Sequence, residues 1–153
     1  MEILAQILDI KDVAAWFLNK NPAPHKKLQK LCYYAVAWHY TLFDAPLCTR
    51  DEFQAWVHGP VNTVLYNQYK GTGWQPIHPN GEVDFGDKEE FMEMIWLTYG
   101  DLSGVQLEIL THEEEPWIKA RNGLGIYESS ENIISIDEMK KYYAKEYENS
   151  QNE

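Results

Sequence analysis

The chain has 153 residues, 44% of them hydrophobic and 14% aromatic; that is enough for one sizeable core and excludes intrinsic disorder. Lys plus Arg number 13 against 24 for Asp plus Glu, a formal charge of −11 that disfavours nucleic acid and anionic membranes as partners and favours a basic protein. Two cysteines, Cys32 and Cys48, exclude a disulfide framework and a four-cysteine zinc site.

The N-terminal "MEILAQILDIKD" lacks the basic start and small-residue cleavage site of a signal peptide, and no apolar run reaches membrane-spanning length, so the expected location is cytoplasmic. Asp9 is placed to cap a helix through "VAAWFLNK", with Leu8 and Val13 in staple positions. Pro22 and Pro24 then break the chain. The longest helix is predicted over "HKKLQKLCYYAVAWHYTLF", where Leu28, Leu31, Cys32, Ala35, Trp38, His39 and Leu42 recur at three- and four-residue steps. Lys26, Lys27 and Lys30 read as its solvated face.

Thr49 and Glu52 form a capping-box pattern for a short helix carrying Phe53 and Trp56. Gly59 would end that helix and Pro60 open the next, "PVNTVLYNQYK", making the Gly-Pro pair a corner between two helices. "GTGWQPIHPNGEVDFGD" has no helical period; Asn80-Gly81 is a short hairpin turn, weakened by Pro79. Asp87 with Glu90 opens a helix that Gly100 stops, and Ser103 with Gln106 opens another. Pro116 cannot sit deep in that helix, which therefore ends near His112; Pro116 starts a second, "PWIKAR", closed by Asn122-Gly123. Glu113, Glu114 and Glu115 at its start and Lys119 and Arg121 near its end oppose the helix dipole. "NIISI" reads as a short strand, and Ser135 with Glu138 caps the last helix, leaving residues 148–153 to fray. The expectation is a mainly α, single-domain chain over 1–153, with about six to seven helices around one long central helix and a small hairpin or short-strand excursion.

The chemistry in these segments is sparse. Histidines 25, 39, 58, 78 and 112 include no i, i+3 or i, i+4 pair, and "HEEE" is not HExxH, so no metal or other cofactor is expected. "GTG" and "GLG" are not phosphate-binding loops, and Cys32 has the surroundings of a buried thiol, so no catalytic residue is expected. In "THEEEPWIKAR", Thr111 or His112 can satisfy backbone groups at the helix break while Trp117 enters the core. That structural reading comes first on residue physics alone; His112, Trp117 and Arg121 can also serve as partner contacts, since Trp and Arg are favoured anchors, and Trp56, His58 and Pro60 carry the same two readings in the same order.

Three blocks in order carry a resemblance. "KLQKLCYYAVAWHY" resembles a KLQKLLYYAxxxH-type signature, "FQAWVHGPVNTVLYNQYK" an aromatic-x-AW-x-x-GPV-x-x-x-Y block, and "LEILTHEEEPWIKAR" a block in which Thr-His precedes Pro-Trp and Ala-Arg. Together they resemble the Panacea domain, also called SocA-like or GepA-type, from about residue 13 to about residue 143. Cys32 stands at a usually aliphatic position, and Asn62-Thr63 follows Gly-Pro-Val where a second proline is frequent. The resemblance implies a non-enzymatic antitoxin of a bacterial or prophage toxin–antitoxin system, which binds a cognate protein toxin encoded by a neighbouring gene. It nominates Lys27, Lys30 and Tyr34 in the first block, Trp56, His58, Gly59, Pro60 and Tyr66 in the second, and Thr111, His112, Pro116, Trp117 and Arg121 in the third as motif or partner-binding residues. No appended DNA-binding domain is expected. The alternatives are a phage-encoded adaptor that delivers a host protein to a protease or regulator, and a metal-dependent hydrolase, which the missing catalytic spacing disfavours.

Overall fold

In the computed structural model, which describes residues 7–152, the chain winds around one helix. The elements are α1 (Ile10–Lys20), α2 (His25–Phe43), β1 (Gln54–Trp56), β2 (Gly59–Val61), α3 (Thr63–Tyr69), a 3-10 turn (Gly86–Lys88), α4 (Glu89–Tyr99), α5 (Gly104–His112), α6 (Glu115–Arg121) and α7 (Ile136–Gln151). The mainly α architecture with a small β excursion is therefore as expected. The segment 148–153, where fraying was expected, is helical through Gln151. The N-terminal "MEILAQ", where no signal peptide is expected, lies outside the described residues. Among the described residues, no helix is long and apolar enough to cross a membrane.

α2 packs against α7, α1, α5, α4, α3 and β2, so from Leu28 to Ala37 it is buried on every side. A helix enclosed all round has no solvated face in its middle turns. Lys30, read from its spacing as part of such a face, is only 2% exposed.

Local capping fixes most helix starts. Asp9 caps α1 in a box with Asp12, and Leu8 and Val13 are both buried as the staple requires. Ser103 with Gln106 and Ser135 with Glu138 open α5 and α7. α5 ends at His112, Pro116 lies in the first turn of α6, and Asn122 closes α6 at a φ of 52°. α4 differs: it follows the 3-10 turn, and Glu89 rather than Asp87 reaches back to accept from the Phe85 N–H at 3.1 Å.

The segment around Gly59-Pro60 is not a helical corner. It is an antiparallel hairpin pairing Gln54 with Val61, Ala55 with Pro60 and Trp56 with Gly59, turned at Val57-His58. Long-range partners override the local capping pattern. The Thr49 hydroxyl donates to Asp9 Oδ1 (2.9 Å) and its backbone pairs with Leu8 and Ile10, so it caps nothing at residue 52. Arg50 grips the Asp9 carboxylate through Nε and a terminal nitrogen at 2.7 and 2.6 Å. Asn62 fixes the far end: its side chain donates to the Arg50 and Glu52 carbonyls and accepts from the Leu65 N–H, capping α3. Its backbone exchanges hydrogen bonds with the buried Gln29 amide on α2, at 2.8 and 3.1 Å. Pro60 is tolerated because a two-stranded ribbon leaves its missing N–H without a required acceptor.

"NIISI" supplies a single bridge to this hairpin: the Ala55 N–H donates to the Asn132 carbonyl and the Ile134 N–H to that of Phe53, both at 2.8 Å. Asn80-Gly81 turns no hairpin. Ile77 instead pairs with Ala23, and the Asn19 amide donates to the Gly81 carbonyl at 2.8 Å.

Candidate functional site

The three sequence blocks meet at the hairpin. α2 supplies Lys30, the hairpin Trp56, His58, Gly59 and Pro60, α3 Tyr66, and the α5–α6 junction Thr111, His112, Trp117 and Arg121. Gly59 is the point of closest approach. A Cβ there would lie 2.8 Å from Lys30 Cε and 3.1 Å from Thr111 Oγ1, and its φ of 111° is itself hostile to a side chain. Only glycine lets the hairpin rest on the crossing of α2 and α5.

α6 clamps the hairpin from the other side. The Trp117 indole N–H donates to the Trp56 carbonyl at 2.9 Å. Arg121, 3% exposed, donates to the Ala55, Gly125 and Glu128 carbonyls at 3.1, 2.8 and 2.6 Å, and its guanidinium lies 5.1 Å from the Trp117 ring centre. His112 stacks on Trp117 at 4.0 Å and 15°. Trp117 and Arg121 thus use their polar groups on the protein's own backbone, and Pro116 is buried beside them.

Two of the expected residues lie elsewhere. Lys27 donates to the Gly100 carbonyl at 2.6 Å, at the C-terminus of α4. Tyr34 is interior: it stacks on Tyr99 at 4.0 Å and donates to Glu114 Oε1 at 2.7 Å, an oxygen that also accepts from the Tyr143 hydroxyl at 2.8 Å. Glu114 was read only as part of an acidic link. Burial pushes its carboxyl up to about 7, against the opposing pull of the two tyrosine hydroxyls.

Above the junction lies a groove of about 520 Å³. Trp56, Tyr66 and the exposed Trp74 form its walls, His25 and His58 its rim, and Lys30 its floor. Trp56 meets Tyr66 edge to face at 4.8 Å. A second recess of about 290 Å³ shares Trp56, His58 and Val61 and continues past Ser129 and Ser130. Glu108 on α5 pairs with Lys26 and lies 3.1 Å from His58 Nδ1, so its carboxylate is already engaged at the rim. Lys30 has no direct partner: among the described residues no acceptor hydrogen-bonds or ion-pairs with its Nζ, and burial brings its ammonium down to about 7, opposed by the more distant charge of Glu108 and assisted by Lys26. His112 is also held below its ordinary value by burial, and its Nε2 has no hydrogen-bond partner among the described residues.

Glu108, Gln29 and Trp74 carry no local signal, since what distinguishes each is a partner far along the chain, and Asn62, beyond its local cap on Leu65, is set apart by Gln29, Arg50 and Glu52. Among the described residues, no cluster of His, Cys, Asp and Glu could hold a metal ion. Cys32 and Cys48 are buried free thiols, both pushed up by burial.

The family model described as "Antitoxin SocA-like, Panacea domain" matches residues 28–118. Antitoxin SocA of Caulobacter vibrioides (strain NA1000 / CB15N) is 29% identical over 140 residues, covering 78% of this chain and 74% of that protein. No solved structure matches significantly. The matched stretch runs from the second turn of α2 through the hairpin to the first turn of α6, the elements that build the junction. The chain belongs to the SocA-like Panacea antitoxin family.

Proposed function

We propose that the chain is an antitoxin that neutralises a cognate protein toxin, encoded by a neighbouring gene, through direct binding in the cytoplasm and without catalysing a reaction. Membership of the SocA-like Panacea family carries this reading. The groove over the motif junction is the proposed contact face, because it joins an apolar aromatic wall to an exposed rim. Such a combination suits a protein surface that must be desolvated at its centre. The charge of −11 suits a basic partner and speeds encounter at low salt.

Co-expression with each neighbouring gene product tests the proposal. One neighbour should arrest growth alone and be rescued by this chain at near-equimolar expression, since a binding mechanism consumes one antitoxin per toxin. If no neighbour is both toxic and rescued, the assignment fails. Rescue by trace amounts would point to catalysis instead.

A further inference from the structure

The fold buries Lys30 and, among the described residues, gives its ammonium no hydrogen-bonded or ion-paired partner. We propose that the groove above Lys30 is a receptor for one carboxylate side chain, an Asp or Glu of the bound protein flanked by an apolar residue. The inference rests on the antitoxin reading only for the partner being the toxin; the chemistry of the receptor follows from the groove itself.

Every charged or titratable group facing Lys30 bears on the argument. On its own helix stand His25 and Lys26, on α5 Glu108 and His112, on the hairpin His58, and on α3 the Tyr66 hydroxyl. Glu108 is shared by Lys26 and His58. The His25 ring accepts from the Gln29 amide, with Nε2 at 3.0 Å. Among the described residues the floor therefore offers one cation without a direct partner, able to match one negative charge. A phosphate dianion asks for several convergent donors or an arginine fork, and Lys30 alone does not supply them. Trp56, Tyr66 and Trp74 line the same groove with apolar surface, so the entering carboxylate needs an apolar companion. An acidic chain that attracts basic partners at long range would then be anchored by an acidic side chain at contact. A toxin lacking that residue would leave Lys30 buried and unpaired.

Carboxylate binding restores the full charge of Lys30, so it is coupled to proton uptake above neutral pH. The probe is indole-3-propionate titrated into the full chain with labelled lysine, followed by NMR at the Lys30 Cε and the Trp74 indole N–H. We expect saturable shifts at both. The Lys30 titration midpoint should start at about 7 and rise by about one unit or more on saturation. The corresponding amide should not bind. Lys30→Met should raise Tm, because a buried unpaired charge is gone, and weaken the probe about ten- to hundredfold. Trp74→Ala, at an exposed wall, should weaken binding while leaving the free Lys30 midpoint in place. Equal binding of acid and amide, absence of shifts at Lys30, or tighter binding of phenyl phosphate than of the carboxylate overturns the inference. The probe assay involves no toxin. Loss of growth rescue with intact probe binding therefore sinks the antitoxin reading alone, while probe failure with intact rescue sinks the receptor alone.

Discussion

Gly59 and Glu114 show how single side chains set the limits of this fold. At Gly59 both the backbone conformation and the space are closed to a Cβ, because Lys30 Cε and Thr111 Oγ1 occupy the place it would take. Gly59→Ala should cost about 2–4 kcal/mol, combining positive-φ strain with overpacking, as read by urea denaturation; unchanged stability would show the hairpin free to lift off α2. Glu114 makes a pH prediction. Its folded-state pKa of about 7 stands above the ordinary 4.5, so between those values the folded chain holds a proton that the unfolded chain has released. Its contribution is complete below pH 4.5 and is lost as pH rises through about 7. His25, His39 and His112, all lowered by burial, act oppositely near their ordinary value. The test is therefore a difference: Glu114→Gln should show a more positive slope of stability against pH over that window than the parent. Identical slopes would contradict the buried, proton-holding carboxyl.

At the scale of elements, the division between what was legible and what was not follows the range of the interactions. α1, α5, α6 and α7 begin on side chains within three residues of the break or on a helix-starting proline, so capping chemistry marks them in the sequence. The hairpin carries an equally good local capping pattern and ignores it. Gln29, Arg121 and the 132–134 segment, all distant in sequence, hold it in place, Gln29 by way of the Asn62 backbone at its end. Lys30 was misread for a related reason: in a helix enclosed on every side, a polar residue between apolar neighbours no longer marks solvent. What grouped the motif residues was the resemblance, not the periodicity; most of them lie together at the junction, while Lys27 and Tyr34 belong to the scaffold behind it. Asn62→Ala tests the hairpin's attachment. It leaves the Arg50 and Glu52 carbonyls and the Leu65 N–H without their partner. The expected loss is about 2–4 kcal/mol, with hydrogen exchange accelerated first at Ala55 and Leu65. Uniform acceleration across α2 and α7 instead would mean that the hairpin and the helical core open as one unit.

For the whole molecule, the helical core buries most of the hairpin but presents its tip at His58, with Trp74, at the surface, while the acidic surface acts at longer range. Two signatures of binding should then separate. Raising salt should slow association by screening the −11 charge, whereas changing the groove should speed dissociation. Trp74 is the most informative position, being a groove wall that is 77% exposed and so dispensable to the core. The most direct measurement is the dissociation constant for the toxin found by rescue, comparing the parent with Trp74→Ala at fixed salt. Binding at the groove predicts about a tenfold or greater loss, carried by faster dissociation and with no change in Tm. An unchanged constant, in a variant as stable as the parent, would place the toxin on another face and contradict the role assigned to the motif junction.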